Sequence, residues 1–453
     1  MNEFRLLSTS GILGYGFPEA SLRAGLERNP DMIGVDGGSV DPGPHYLGSG
    51  KPFCSKMAIR RDLRLMLRAA VERGIPMLIG TCGGAGGAPH LQLVVDLVRE
   101  IAREDNLHFP MAVIHAEQPK ERIKARVREG RVAPLARRPP LDEATIERAE
   151  RIVGMMGPEP FVKALDDGAQ IVLAGRSTDP APFAAAAMRA QFGPAQSWYA
   201  GKMLECGATA AVPKGHDCLL VTVRDDHIEC EPLNPERRCT PLSVANHSLH
   251  ENASPVRHVE PGGILYTEAC RFEAVSDRAV RVGGMRWQPS DIYTVKLEGA
   301  ERAGWRAITI CGTRDPLLIA GLESFLAAVR RNVAQKAADF GAGPDRYRLI
   351  IRSYGHDGVM AAREPVRAIE SHELGFVVEI VADDPEIAAA VLAIARTNML
   401  HTDFPGRLCR EGNMAFPFSP SDIEAGPVYR FSVFHTVVPD DPLEMFPIEH
   451  ERV

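Results

Sequence analysis

Residues Ile75–Pro89 read IPMLIGTCGGAGGAP. A short apolar run enters a turn carrying Gly83, Gly84, Gly86 and Gly87. The turn opens on HLQLVVDLVREIA, where Leu91, Val94, Val95, Val98, Ile101 and Ala102 recur at helical spacing. Strand, glycine turn and helix together make the repeating unit of an α/β fold.

The unit recurs on both sides. FRLLSTSGI, DMIGVDGG, FPMAVIHAE and AQIVLAGRSTD are further strand-like runs. Between them PEASLRAGLER, Ser55–Arg73, LDEATIERAERIVG and PAPFAAAAMRAQF read as helices. The strands are continuously apolar rather than alternating, which marks a parallel sheet covered on both faces. Residues 1–215 are therefore expected to form a doubly wound, mostly parallel α/β domain.

The pattern changes near residue 215. CLLVTVRDDHIECEPL, GILYTEACRFEAVSDRAVRVGGMRW, IYTVKLEGA, RAITICGT, RYRLIIRSYG, GFVVEIVAD and PVYRFSVFHTVV alternate and carry hairpin turns. Two helices are expected among them, Leu322–Phe340 and one capped by Asp384 and Pro385. Residues 216–453 thus predict an α+β domain with antiparallel strands, with a ferredoxin-like element around 345–400 and PVYRFSVFHTVV as the last strand.

Bulk properties narrow the function. The 453 residues are 45% hydrophobic and 25% charged, with net charge −7. That balance argues against a nucleic-acid or anionic-membrane partner. The sequence has no apolar run of membrane-spanning length. MNEFRLLSTSGIL lacks the pattern of a signal peptide. The nine cysteines show no regular spacing, which suits reduced thiols in a cytoplasm. A homo-oligomer is expected.

In open α/β sheets, ligands bind outside the carboxyl ends of the strands. Those ends carry Asp36, with Asp41 and His45 beyond it; Cys82; His115 and Glu117; Arg176, Ser177 and Asp179; and, slightly later, Glu205 and Cys206. Gly83, Gly84, Gly86 and Gly87 form either a backbone cradle for an anion or a tight turn that requires small residues. The turn matches neither GxxxxGK[ST] nor GxGxxG. Cys82 is a nucleophile or an inert buried thiol. Arg176 offers a fork suited to a carboxylate or phosphate. Asp179 either caps the next helix or works as a base or metal ligand. His115 is a core residue or a proton handler. Glu205 is an acid/base carboxylate or part of a helix end. The sequence demands no cofactor and shows no compact metal-ligand spacing, so a divalent ion at these acids is only a remote alternative. Beyond residue 215, SYGHDG (Ser353–Gly358) and GNMAFPFSPSDI (Gly412–Ile423) are the outstanding loops.

GTCGGAGG, GRSTDPAPF, ECGA and the late AFPFSP together resemble the AtuA family of acyclic terpene utilisation proteins. The resemblance implies catabolism of branched acyl compounds handled as coenzyme A thioesters. It supplies no catalytic residues. Related proteins often carry or accompany a further small domain, so a small accessory subunit is expected here if activity needs that domain. The expected function is acid/base chemistry of hydratase, lyase or isomerase type on a small carboxylate or acyl-CoA thioester, with His115, Asp179 and Glu205 as proton handlers. The alternatives are a thiol-dependent acyl transferase or hydrolase using Cys82 or Cys206, and a non-catalytic acyl- or nucleotide-binding subunit.

Overall fold

Every apolar run of the first half becomes a buried strand. In the computed structural model, which describes residues 3–408 and 413–453, these are β1 (Phe4–Ser8), β2 (Met32–Asp36), β3 (Met77–Gly80) and β4 (Pro110–Ile114). β5 (Val132–Pro134), β6 (Ala149–Met155) and β7 (Ile171–Ala174) follow. Gly412, the first residue of the late aromatic loop, lies outside the described residues.

The chain divides into two compact units, Met1–Glu301 with Phe431–Val453, and Arg302–Arg430. In the first unit the parallel strands run in the order β1-β2-β3-β7-β4. Both faces are covered, which is why these strands carry no polar side of their own. On one face Ile33, Val35 and Ile79 pack with Leu63, Met66, Val94 and Val98 of the helices Lys56–Arg73 and Ala88–Asp105. On the other, Met32, Leu78 and Val172 pack with Phe161 and Phe183 of the helices Glu159–Asp166 and Ala181–Arg189.

The change of pattern near residue 215 marks the antiparallel part of the same sheet. Leu219–Val223 pairs with β1, and His227–Pro232, Val280–Gly283 and Arg271–Ala274 extend that edge. The full sheet has 10 strands, and a 3-stranded antiparallel sheet contains Arg257–Glu260, Gly263–Tyr266 and Arg286–Pro289. The protein is thus mixed α/β, with one large parallel and antiparallel sheet and further antiparallel ones.

Two expectations are corrected here. LDEATIERAERIVG is not one helix. Asp142 caps a short helix, Glu143–Arg148, and the chain then becomes β6, paired antiparallel with Lys296–Glu301. Local helical spacing loses to this pairing, which buries Ile152 and Val153. PVYRFSVFHTVV is not the last strand, because Ile448–Arg452 adds antiparallel to β4. A strand reading IEHER has no apolar signature, so only the free edge of β4 reveals it.

The second unit follows a β-α-β-β-α-β path. Its strands are the later part of Val295–Thr313, then Tyr347–Tyr354, Leu374–Ala382 and the earlier part of Asp422–Val437. Taken in chain order as first to fourth, they lie second-third-first-fourth in the sheet, the order of a ferredoxin-like element. Phe325, Val329 and Val333 of the helix Leu322–Ala338, and Val391 and Ala395 of the helix Pro385–His401, pack against Val378 and Ile380.

Candidate active site

β3 ends on Thr81, which holds a positive φ of 45° in a fully buried position. A threonine there is strained, and such strain persists only where the surroundings enforce it. They do so from the adjacent end of β7. Ser177 N donates to Thr81 Oγ1 at 3.2 Å, and Thr81 Oγ1 donates to Ser177 O at 3.3 Å. The two strand ends are thereby locked together.

From this lock Arg176 reaches inward. Its Nε donates to Glu298 Oε2 at 2.8 Å, and its Nη1 donates to Ser177 O at 2.9 Å and to Asp179 Oδ1 at 3.2 Å. Lys296 Nζ takes the other oxygen of Glu298 at 2.6 Å. Arg176 and Glu298 are both buried, so neither charge could stand alone. Asp179 does not cap the following helix, which has no side-chain cap; its carboxylate turns to Arg176 instead.

Beside this cluster lies a cavity of about 530 Å³. Arg176 and Asp179 border it from the β7 end, Lys202 and Glu205 from the end of the helix Pro194–Leu204, and His258 and Glu260 from the strand Arg257–Glu260. Lys202 Nζ donates to Glu205 Oε1 at 2.5 Å and to His250 O at 2.7 Å. Alternation along Arg257–Glu260 leaves Arg257 and Val259 exposed while His258 is buried and Glu260 half-buried.

Burial sets the protonation of these groups. It pushes the Glu205 carboxyl up to about 8, against the pull of Lys202. It pushes Glu260 to about 8 as well, helped by the charge of Glu205. Asp179 is raised by burial and held back by Arg176. Burial, then Lys202, lowers His258 to about 4, so its ring is neutral near pH 7. Asp36, at the end of β2, is 4% exposed and its Oδ1 has no hydrogen-bond partner. Burial, then the nearby Asp179, raises it well above the carboxylate range.

Of the residues singled out by sequence, the structure brings together Asp41, Arg176, Asp179 and Glu205 around the cavity, with Asp36 in electrostatic range of them. Ser177 serves as the backbone tie described above. The glycine turn is elsewhere in role. Gly83, Gly84 and Gly86 take positive φ of 74°, 109° and 66°. A Cβ on Gly86 would lie 2.3 Å from Arg176 N, and one on Gly84 would lie 2.7 Å from Phe53 Cβ. Gly87 caps the helix Ala88–Asp105 without a side-chain bond, and Glu117 Oε2 accepts from Ala88 N at 2.8 Å. The turn is packed against protein, and none of its glycines borders the 530 Å³ cavity. Cys82 lies in the apolar core beside Ile79, and burial pushes its thiol far up, opposite to what a nucleophile requires. Burial does the same to Cys206. His115 pairs with Glu449 of the last strand at 3.0 Å and lines a separate cavity of about 380 Å³ with Gly86 and Glu117. Among the described residues, no group of three or more His, Cys, Asp or Glu is placed to hold a metal ion. None of the helices among them is long and apolar enough to cross a membrane.

Lys202, His258, Glu260, Lys296 and Glu298 complete the site without standing at the strand ends that the sequence marks. Lys202 stands three residues before Glu205 on a helix, a spacing that pairs side chains. Lys296 and Glu298 are charges inside the apolar run VKLEGA, which asks for partners. His258 and Glu260 carry no signal, because only tertiary folding brings their strand to the cavity.

The protein is thus a mixed α/β protein in which Arg176, Lys202, Lys296 and several buried or half-buried carboxyls surround one cavity. Residues 56–214 match the model of the Acyclic terpene utilisation family protein AtuA. The motifs GTCGGAGG, GRSTDPAPF and ECGA fall inside that stretch, as do Arg176, Asp179, Lys202 and Glu205, whereas Asp36, His258 and Glu260 lie outside it. No curated protein and no solved structure matches the chain.

Proposed function

We propose that this chain is a catabolic enzyme that performs acid/base chemistry, of hydratase, lyase or isomerase type, on a small carboxylate or acyl-CoA thioester. The observation that carries the reading is the pair Glu205 and Glu260. Both face one cavity, and both are pushed up to about 8 by burial. A carboxyl poised near the working pH both gives and takes protons efficiently. Lys202 holds Glu205 in place, and Lys202 and Lys296 supply positive charge where a substrate oxygen gains negative charge. Arg176 orients Asp179 and Glu298 rather than serving first as an anion clamp, since its Nε and Nη1 are already engaged. The thiol-dependent reading has weaker support, because neither Cys82 nor Cys206 is in an environment that favours thiolate. The doubly wound description of the parallel strands, a cytoplasmic location, a homo-oligomeric state and an accessory subunit belong to the same proposal.

Incubation with a panel of acyl-CoA thioesters and short carboxylates in deuterated water tests it. We expect solvent deuterium to enter carbon beside the carbonyl of at least one member. Glu205→Gln should slow that exchange by about 10²–10⁴-fold, the usual worth of a positioned general acid or base. Exchange at the parental rate in both Glu205→Gln and Glu260→Gln would overturn the proposal.

A further inference from the structure

Thr178 and His258 border the acid-lined cavity, and each holds a buried polar atom without a partner. Thr178 is 6% exposed and His258 4%. The backbone beneath both is firmly held. Thr178 N donates to Met156 O at 2.9 Å, and the pairing of Arg257–Glu260 with Gly263–Tyr266 fixes His258 opposite Leu265. Yet Thr178 Oγ1 and His258 Nε2 make no hydrogen bond. Burial and the charge of Glu205 raise the Glu260 carboxyl, and the nearby Thr178 hydroxyl draws it back without closing a bond to it. Buried polar groups are as a rule hydrogen-bonded, and each exception calls for an explanation. One explanation serves both groups here: the partner arrives with the ligand.

The chemistry of the cavity narrows that partner. A hydroxyl donates one hydrogen bond, and a neutral imidazole donates through one ring nitrogen. Burial, then Lys202, keeps the His258 ring neutral near pH 7. Two such donors suit an oxygen that only accepts, a carbonyl. The cations of the cavity are already committed: Arg176 to Glu298 and Asp179, Lys202 to Glu205, and Lys296 to Glu298. Arg257 is exposed and lies over the Tyr266 ring, 5.7 Å from its centre. A free carboxylate would have to break one of these pairs, whereas an uncharged carbonyl need not. Leu135, Met155 and Phe434 border the same cavity and are half-buried, so a short carbon chain finds apolar surface to cover.

We propose that Thr178 and His258 form a carbonyl-binding subsite in this cavity and select an uncharged acyl group, as in a thioester, over the free acid. The catalytic part of this inference rests on the acid/base reading of Glu205 and Glu260. With both donors on the carbonyl oxygen, the proton on the neighbouring carbon passes to the ionised form of Glu205 or Glu260. The C–H electron pair becomes the C=C bond of an enolate, and the carbonyl π pair moves onto the oxygen. Thr178 and His258 stabilise the negative charge that grows there.

S-butyryl-N-acetylcysteamine, an uncharged thioester, and butyrate, its free acid, test the inference on the full chain, by calorimetric binding and by exchange in deuterated water. The thioester should bind at least about tenfold more tightly, because butyrate meets no unmatched buried cation. His258→Phe/Thr178→Val keeps nearly the same volume and removes both donors. Thioester binding should then fall by about tenfold or more, the worth of one to two hydrogen bonds. The melting temperature should stay level or rise, since no hydrogen bond of the free protein is lost, whereas a purely structural role would lower it. No thioester binding at millimolar concentration, equal binding in the double variant, or butyrate binding as tightly as the thioester would overturn the proposal. Exchange at the parental rate in the double variant would overturn the subsite and leave the acid/base reading standing. Binding lost in the double variant, with no exchange in the parent, would support the subsite and overturn the acid/base reading alone.

Discussion

The ends of β3 and β7 are neighbours in one sheet, and both look functional in sequence. GTCGGAGGAP offers glycines and a thiol; GRSTDP offers charge. In the folded chain they divide the work. The β3 turn is a packing device whose glycines let backbone approach backbone, as Gly86 approaches Arg176. The β7 end is where charge is held, through Arg176, Asp179 and Glu298. A glycine-rich turn at a strand end is therefore not by itself an anion site. Its service here is to place the neighbouring strand end that carries the side chains.

The largest expected effect separates these roles at the charged end. Arg176→Ala leaves the buried Glu298 with Lys296 alone and the half-buried Asp179 without its ion-pair partner. Chemical denaturation should show a loss of about 3–5 kcal/mol, the range for breaking a buried pair from one side. A loss below about 1 kcal/mol would mean that this cluster is solvated and unimportant to the fold.

Gly86→Ala attacks the packing end. Its Cβ would meet Arg176 N at 2.3 Å from a backbone already at positive φ. Strain and clash together should cost about 2–4 kcal/mol. If thermal melting is unchanged while ligand binding is lost, the turn is an anion cradle after all, and the division of roles fails.

pH comes next. Glu205 and Glu260 have folded values near 8, above the ordinary carboxylate value. Between the ordinary value and 8 the folded chain holds protons that the unfolded chain has lost. Stability from these groups is therefore greatest at low pH and falls as pH rises through about 8. The loss between pH 5 and 9 should be roughly 1–3 kcal/mol, with discounts for the half-buried Glu260 and for Lys202. Glu205→Gln/Glu260→Gln should flatten that slope. An equal slope in parent and double variant would assign the titration to other groups.

The smallest effect is expected at Cys82. Cys82→Ala should cost about 1 kcal/mol by removing a buried sulfur, and leave turnover unchanged. Turnover abolished with stability intact would restore the thiol reading.

Much of the fold was legible because parallel strands buried on both faces leave long apolar runs, and all five of them form the centre of the sheet. What escaped depended on edges. β6 follows a helix-like pattern and becomes a strand only because Lys296–Glu301 is there to pair with it. IEHER is polar and is recruited by the open edge of β4. The site divides in the same way. Arg176 and Asp179 lie just after the end of β7, where topology makes position meaningful, and Glu205 ends the helix Pro194–Leu204 that comes later. His258 and Glu260 arrive on a hairpin some fifty residues later, with no local mark of their destination. His115 sits at an equivalent strand end but is drawn off by Glu449 of the strand that sequence pattern did not reveal. Position at a strand end draws attention to Arg176 and Asp179, and only three-dimensional folding sets them beside His258 and Glu260.

The central claim is that Glu205 and Glu260 hold protons at neutral pH. Difference infrared spectroscopy of the carboxylic C=O stretch, recorded from pH 5 to 10 on the parent chain and on Glu205→Gln/Glu260→Gln, measures this directly. The account predicts a protonated-carboxyl band at pH 7 that disappears with a midpoint near 8 and is missing from the double variant. A band already lost by pH 6, or one that persists unchanged in the double variant, would contradict it.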